Sequence, residues 1–243
     1  MNIIERGYKL FQQYHISKIE NACTFCCLNE EEINQLINLT IRDISVELLS
    51  TYNDSAQAYE PEIREFKHFL PRFLDLVYGF EFPSHSVELS LRNISNYNPN
   101  QWTEEEWDFL NEFVVDFFKK CLTTRPIPNN YDGLSPILIM INKAGFAISP
   151  FLEIWEKDNG IIGCLHYKEL LTSDFNWMKK TKLNNPFSNK EQSDLLYNWS
   201  NQPLVKKKYL KKIEEIIVGD FDLEEKDLNE LSWLYDILTL NIS

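Results

Sequence analysis

An all-α fold, an irregular stack of about ten to twelve antiparallel helices, is predicted by three features of the chain. Apolar residues recur at the 3.6-residue period through most of its length, while alternation at period two is nearly absent. A helix-start signature appears four times, each before an apolar-periodic run: Asn29/Glu32, Thr103/Glu106, Ser188/Glu191 and Asp222/Glu225. Glycine is scarce, at 7 of 243 residues, which disfavours turn-rich β folds and glycine-loop nucleotide sites.

In chain order, Ile4, Tyr8, Phe11 and Ile19 share a face, so a first helix is expected over residues 2–20. A cysteine-bearing break precedes the helix capped by Asn29. The pairs Glu60-Pro61, Ser135-Pro136 and Ser149-Pro150 each put proline in a first helical turn. Pro71 falls inside the periodic segment 62–78 and is expected to kink or split it near Leu70, with Phe69, Phe73 and Leu76 buried. Ile137–Ile141 reads as a short buried helix; Ile161–Tyr167 is ambiguous between helix and strand. Gly79, Gly145, Gly160 and Gly219 are placed as helix stops. The turn-rich stretch 123–133 suggests two helical halves, 1–122 and 123–243, closely packed as one unit. No strict repeat supports a consensus solenoid.

Charge is uneven. The chain carries a net charge of -13, with 24 basic and 37 acidic side chains. Both ends are acidic, and one basic run, Lys206, Lys207, Lys208, Lys211 and Lys212, precedes the acidic tail. This balance argues against nucleic acid as a partner. The longest apolar run, Ile137–Ile141, is far below a membrane span, and Glu5 and Arg6 interrupt any signal-peptide core. A cytoplasmic protein with reduced thiols and no membrane partner is expected.

A set of residues also resembles an uncharacterised bacterial family of all-helical proteins. These are Cys23-x-x-Cys26 before an acidic helix start, the segment Lys67-His68-Phe69-Leu70-Pro71-Arg72-Phe73-Leu74-Asp75-Leu76, Trp102 with the glutamate-rich run 104–118, Pro150-Phe151-Leu152-x-x-Trp155, Asn176-Trp177 and Trp199. The resemblance implies an all-helical fold and a bacterial, cytoplasmic setting. It implies no activity, substrate or catalytic residue.

Four constellations bear on chemistry. Cys23 and Cys26 have the spacing in which two thiolates reach one zinc ion, but no second Cys-x2-Cys completes four ligands, so small apolar packing residues are the favoured reading and no cofactor is expected. His68 and Arg72, with Glu65 and Asp75 three residues away, could pair histidine with a carboxylate as a general base, yet the surrounding phenylalanines and leucines read as a core-flanking helix. Glu104, Glu105, Glu106, Asp108, Glu112 and Asp116 fit a solvated, dipole-matched helix better than a di-metal site, which would need Glu-x-x-His pairs. The lysine run reads as a solvated face. No hydrolase, metalloprotease or P-loop motif occurs.

The expected function is therefore non-enzymatic: binding of a basic protein partner through an acidic surface, most specifically as an immunity protein that neutralises a basic bacterial toxin. The alternative is a scaffolding protein whose N-terminal turn is stapled by zinc. Glu224, Asp227 and Glu230, at helical spacing on one exposed face, and Glu104, Glu105 and Asp108 are the expected binding carboxylates.

Overall fold

A computed structural model describes residues 1–25, 27–56, 61–130, 133–175, 181–219 and 224–240. Among them are eleven α-helices, short 3-10 turns and no strand beyond an isolated bridge between Phe175 and Leu183. The helices are α1 (Ile3–Phe11), α2 (Glu30–Asn38), α3 (Val46–Asp54), α4 (Ile63–Tyr78), α5 (Glu104–Leu122), α6 (Ser135–Lys143), α7 (Ser149–Lys157), α8 (Ile161–Glu169), α9 (Lys190–Ser200), α10 (Pro203–Val218) and α11 (Glu225–Leu240). The fold is all-α. Two compact units partition the chain. Unit 1 holds residues 1–117 and 140–146; unit 2 holds 118–139 and 147–243.

Unit 1 is organised around α4, whose sixteen residues alternate buried and half-buried faces. Phe69, Phe73 and Leu76 are buried as expected, and so is Leu70. The helix is not split at Pro71. Proline cannot bond the Lys67 carbonyl, but the apolar face of α4 continues on both sides and its burial outweighs the one lost hydrogen bond. Tyr52, Phe66, Phe69, Phe73, Tyr97 and Trp102 form an aromatic cluster with ring centroids 4.7 to 6.5 Å apart.

The first helix is shorter than its apolar pattern suggests, ending at Phe11 rather than residue 20. Beyond it, other groups claim the backbone. The Glu20 and Asn21 N–H groups donate to the buried Glu65 carboxylate at 2.6 and 3.1 Å, and the Tyr14 carbonyl faces His68. Those bonds replace the helical ladder. Gly7 on α1 sits against the Phe109 ring, which a Cβ there would meet at 2.9 Å.

In unit 2, α7, α8, α9 and α10 supply the rings of a second aromatic cluster. Tyr167 and Tyr209 stack with centroids 3.8 Å apart, and Trp155 lies 5.1 Å from Trp199. Their polar ends are satisfied: Trp155 Nε1 donates to the Gly163 carbonyl at 2.9 Å and the Tyr167 hydroxyl to the Ser200 carbonyl at 2.6 Å. The ambiguous stretch at Ile161 is helical, as α8.

Two of the four start signatures act as drawn. Asn29/Glu32 forms both bonds of a capping box, and so does Thr103/Glu106. The third box belongs to Asn189 and Gln192, one residue later than Ser188/Glu191. Asp222 lies outside the described residues. Gly79 and Gly219 cap α4 and α10, and Gly145 at φ +100° follows α6. Gly160 instead precedes α8 as its N-cap, because Asp158 already ends α7.

Candidate protein-binding surface

The acidic first turn of α5 divides by burial. Glu106 points inward. Its carboxylate lies 2.7 Å from Lys67 Nζ, with side-chain exposures of 1% and 3%, and it also accepts from the Tyr14 hydroxyl at 2.6 Å. Burial alone would push this carboxyl up; the bonds from Lys67, Tyr14 and the Thr103 N–H outweigh it and hold Glu106 below the usual carboxylate range. Glu104, Glu105 and Asp108 point outward, exposed.

Those three carboxylates form one wall of a groove of about 740 Å³ between α1 and α5. Arg6, Lys9, Leu10, Gln12 and Gln13 form the other wall, and Phe109 lies in the floor. Arg6 closes one end by bonding both oxygens of Glu112 and lying 5.9 Å from the Phe109 ring centroid. Helix geometry explains the placement: Glu104, Glu105 and Asp108 fall three and four residues apart, so they share a side of α5. None of the three makes an ion pair among the described residues, whereas Arg6 and Glu112 neutralise each other.

The acidic tail is placed differently from the expected exposed face. Glu230 is held at 2.6 Å by Arg125 and 3.1 Å by Lys168, and Asp227 lies 3.8 Å from Arg125. The cause is Arg125, whose guanidinium reaches α11 on one side and Glu169 of α8, at 2.8 Å, on the other. Only Glu224 of the three remains fully exposed, and Asp220 and Asp222 lie outside the described residues. Behind Glu169 the buried His166 ring faces two acceptors, the Glu169 carboxylate at 3.1 Å and the Thr124 carbonyl at 3.0 Å. Burial would raise the Glu169 carboxyl; bonds from His166 and Arg125 hold it low instead. Sequence reasoning does not reveal this network. Its one visible trace is the His166/Glu169 spacing of three on a helix.

The other candidates are not assembled into chemistry. Glu65 is turned away from His68, accepting from Tyr52 and two backbone N–H groups. His68 donates to the Tyr14 carbonyl at 2.9 Å, and burial holds its imidazole below the ordinary value, so it is neutral near pH 7. Arg72 bonds the Ile44 carbonyl and Asp75 at 2.8 and 3.1 Å. Cys23 is half-buried, and Cys26 lies outside the described residues. Among the described residues no three His, Cys, Asp or Glu side chains converge for a metal ion.

The lysine run is not wholly solvated. Lys206 and Lys212 are buried, and Lys212 Nζ donates to the Glu156 and Asp158 carbonyls at 2.7 and 2.5 Å, which caps the C-terminal end of α7. Among the described residues no helix is long and apolar enough to cross a membrane. No protein-family model, curated protein or solved structure matches the chain.

Proposed function

We propose that the protein binds a basic protein partner through the acidic wall of the α1–α5 groove, and that its most specific role is that of an immunity protein masking a cationic bacterial toxin. The reading is of a cytoplasmic, non-enzymatic binder. One observation carries it: Glu104, Glu105 and Asp108 stand exposed beside a groove and make no ion pair among the described residues, whereas Glu106 is held by Lys67 and, in the acidic tail, Asp227 and Glu230 are held by Arg125 and Lys168. Carboxylates left without internal cations keep their field for an approaching cation. The net charge of -13 adds long-range steering toward a basic surface.

The test uses the partner that co-purifies from the native host. Glu104, Glu105 and Asp108 are changed together to lysine, and Glu224→Lys is made separately. The triple variant is expected to slow association about tenfold or more and to flatten its dependence on salt, with Glu224→Lys giving a smaller effect. An association rate untouched by the triple variant and by salt would refute the acidic-surface reading.

A further inference from the structure

We propose that Asn159–Gly160 in unit 2 is a modification site, where the chain deamidates with water as the only co-reactant and so changes both the charge and the backbone of the α7–α8 connection. Asn159 is the one asparagine in the sequence that precedes glycine. The pair falls between the end of α7 at Lys157 and the start of α8 at Ile161, and both residues are exposed. The Asn159 side chain makes no hydrogen bond among the described residues, so nothing holds its carboxamide away from the backbone that follows.

The Gly160 nitrogen attacks Asn159 Cγ. A C–N bond forms and closes a succinimide ring, and the bond from Cγ to the carboxamide nitrogen breaks. The proton lost by the Gly160 nitrogen leaves with the departing NH2 group as ammonia. Water then opens the ring at one carbonyl or the other, giving aspartate or isoaspartate, with no change of oxidation state. Glycine favours the attack because a Cβ on the attacking residue would crowd the ring. The attacking nitrogen also stands outside any helical ladder: its N–H donates to Asp158 Oδ2 at 3.0 Å. Ring closure therefore breaks no backbone–backbone bond, and a proton acceptor already faces that nitrogen.

The connection is anchored on both sides. Lys212 Nζ donates to the Glu156 and Asp158 carbonyls at 2.7 and 2.5 Å, and Trp155 Nε1 donates to the Gly163 carbonyl at 2.9 Å. The Asp158 carboxylate lies against the first turn of α8, 2.1 Å from where a Cβ on Gly163 would stand. Isoaspartate routes the main chain through its own Cβ, so it inserts an extra backbone carbon between these anchors and adds a carboxylate next to Asp158. Hydrogen bonds weaken steeply once their geometry is stretched, so the longer chain loosens the hold of Lys212 and Trp155 on the turn.

The test incubates the full chain at neutral and at mildly alkaline pH and follows its tryptic peptides by mass spectrometry. The peptide holding Asn159 is expected to gain the mass of OH in place of NH2, faster at the higher pH because attack needs a deprotonated nitrogen, and fragmentation is expected to show isoaspartate. Gly160→Ala, at a φ of -74° that suits any residue, is expected to slow the gain severalfold. Asn159→Gln, with the same amide on a longer arm, is expected to remove it. Asn159→Asp carries the new charge without the extra carbon, so the aged native protein is expected to melt below it. An Asn159 peptide that stays unchanged at the higher pH, an equal rate in Gly160→Ala, or an aged protein that melts no lower than Asn159→Asp would each overturn the proposal. None of these residues lines the α1–α5 groove, so the two readings stand or fall separately.

Discussion

Lys67→Met is expected to be among the most damaging single substitutions in unit 1. The Lys67 ammonium and the Glu106 carboxylate are 2.7 Å apart with side-chain exposures of 3% and 1%, so neither can turn to water. Removing the cation leaves a buried carboxylate supported only by the Tyr14 hydroxyl and the Thr103 N–H. Breaking one side of such a pair costs about 3 to 5 kcal/mol. For a chain of this size that lowers the melting temperature by roughly 6 to 20 °C.

The pH dependence has a definite sign. In the native protein the Glu106 pKa is held low, so its contribution is present above the unfolded value and lost as pH falls through the folded one. In Lys67→Met the lost counter-charge leaves desolvation dominant and the Glu106 pKa rises above the unfolded value. The variant then regains stability on acidification, as the carboxyl takes a proton. Urea unfolding at neutral pH and near pH 4 reads both effects: the gap between variant and native protein should narrow in acid. Adding Glu106→Gln, which keeps an acceptor for Tyr14 and Thr103 without the charge, should recover about half the loss or more. A penalty below about 1 kcal/mol at neutral pH, or one that widens in acid, would refute the buried-pair argument.

Three further outcomes follow from single contacts. Phe73→Ala, at 1% exposure in the unit 1 aromatic cluster, should cost about 3 to 5 kcal/mol in urea unfolding. Gly163→Ala should destabilise unit 2 by about 1 to 3 kcal/mol in the same assay, because the new Cβ would lie 2.1 Å from Asp158 Oδ2, and Asp158→Ala should relieve it. Arg125→Ala removes bonds to Glu169 and Glu230 and should speed amide exchange in α11 more than in α9, measured by hydrogen exchange.

The fold is legible because its signals are local. Helix period, the Asn29 and Thr103 boxes and the glycines after α4 and α10 depend on neighbours a few residues away. What escapes the sequence is long-range. The chain after α1 answers to Glu65, more than forty positions downstream, which captures the Glu20 and Asn21 N–H groups that a helix running to residue 20 would keep. The acidic tail reads as free because nothing at Glu230 announces Arg125, 105 positions earlier. Glu104 and Glu106 look alike in sequence, yet one faces solvent and the other Lys67, a difference that only the helix's orientation in the core creates.

The interleaving of the two units bears on how the chain can be cut and made. Residues 140–146 belong to unit 1, where Phe146 stacks on Trp107 with centroids 5.2 Å apart and Ser95 donates to the Lys143 carbonyl at 2.7 Å. A ribosome that has released only the first 117 residues has not yet supplied everything unit 1 contains. Its completion waits on a segment encoded after part of unit 2, so vectorial synthesis cannot finish one unit before starting the other. Simple truncation meets the same obstacle: an N-terminal fragment ending at 122 would leave Trp107 without its stacking partner. Cleavage in the turn-rich stretch 123–130 would nick the protein without releasing a self-sufficient half.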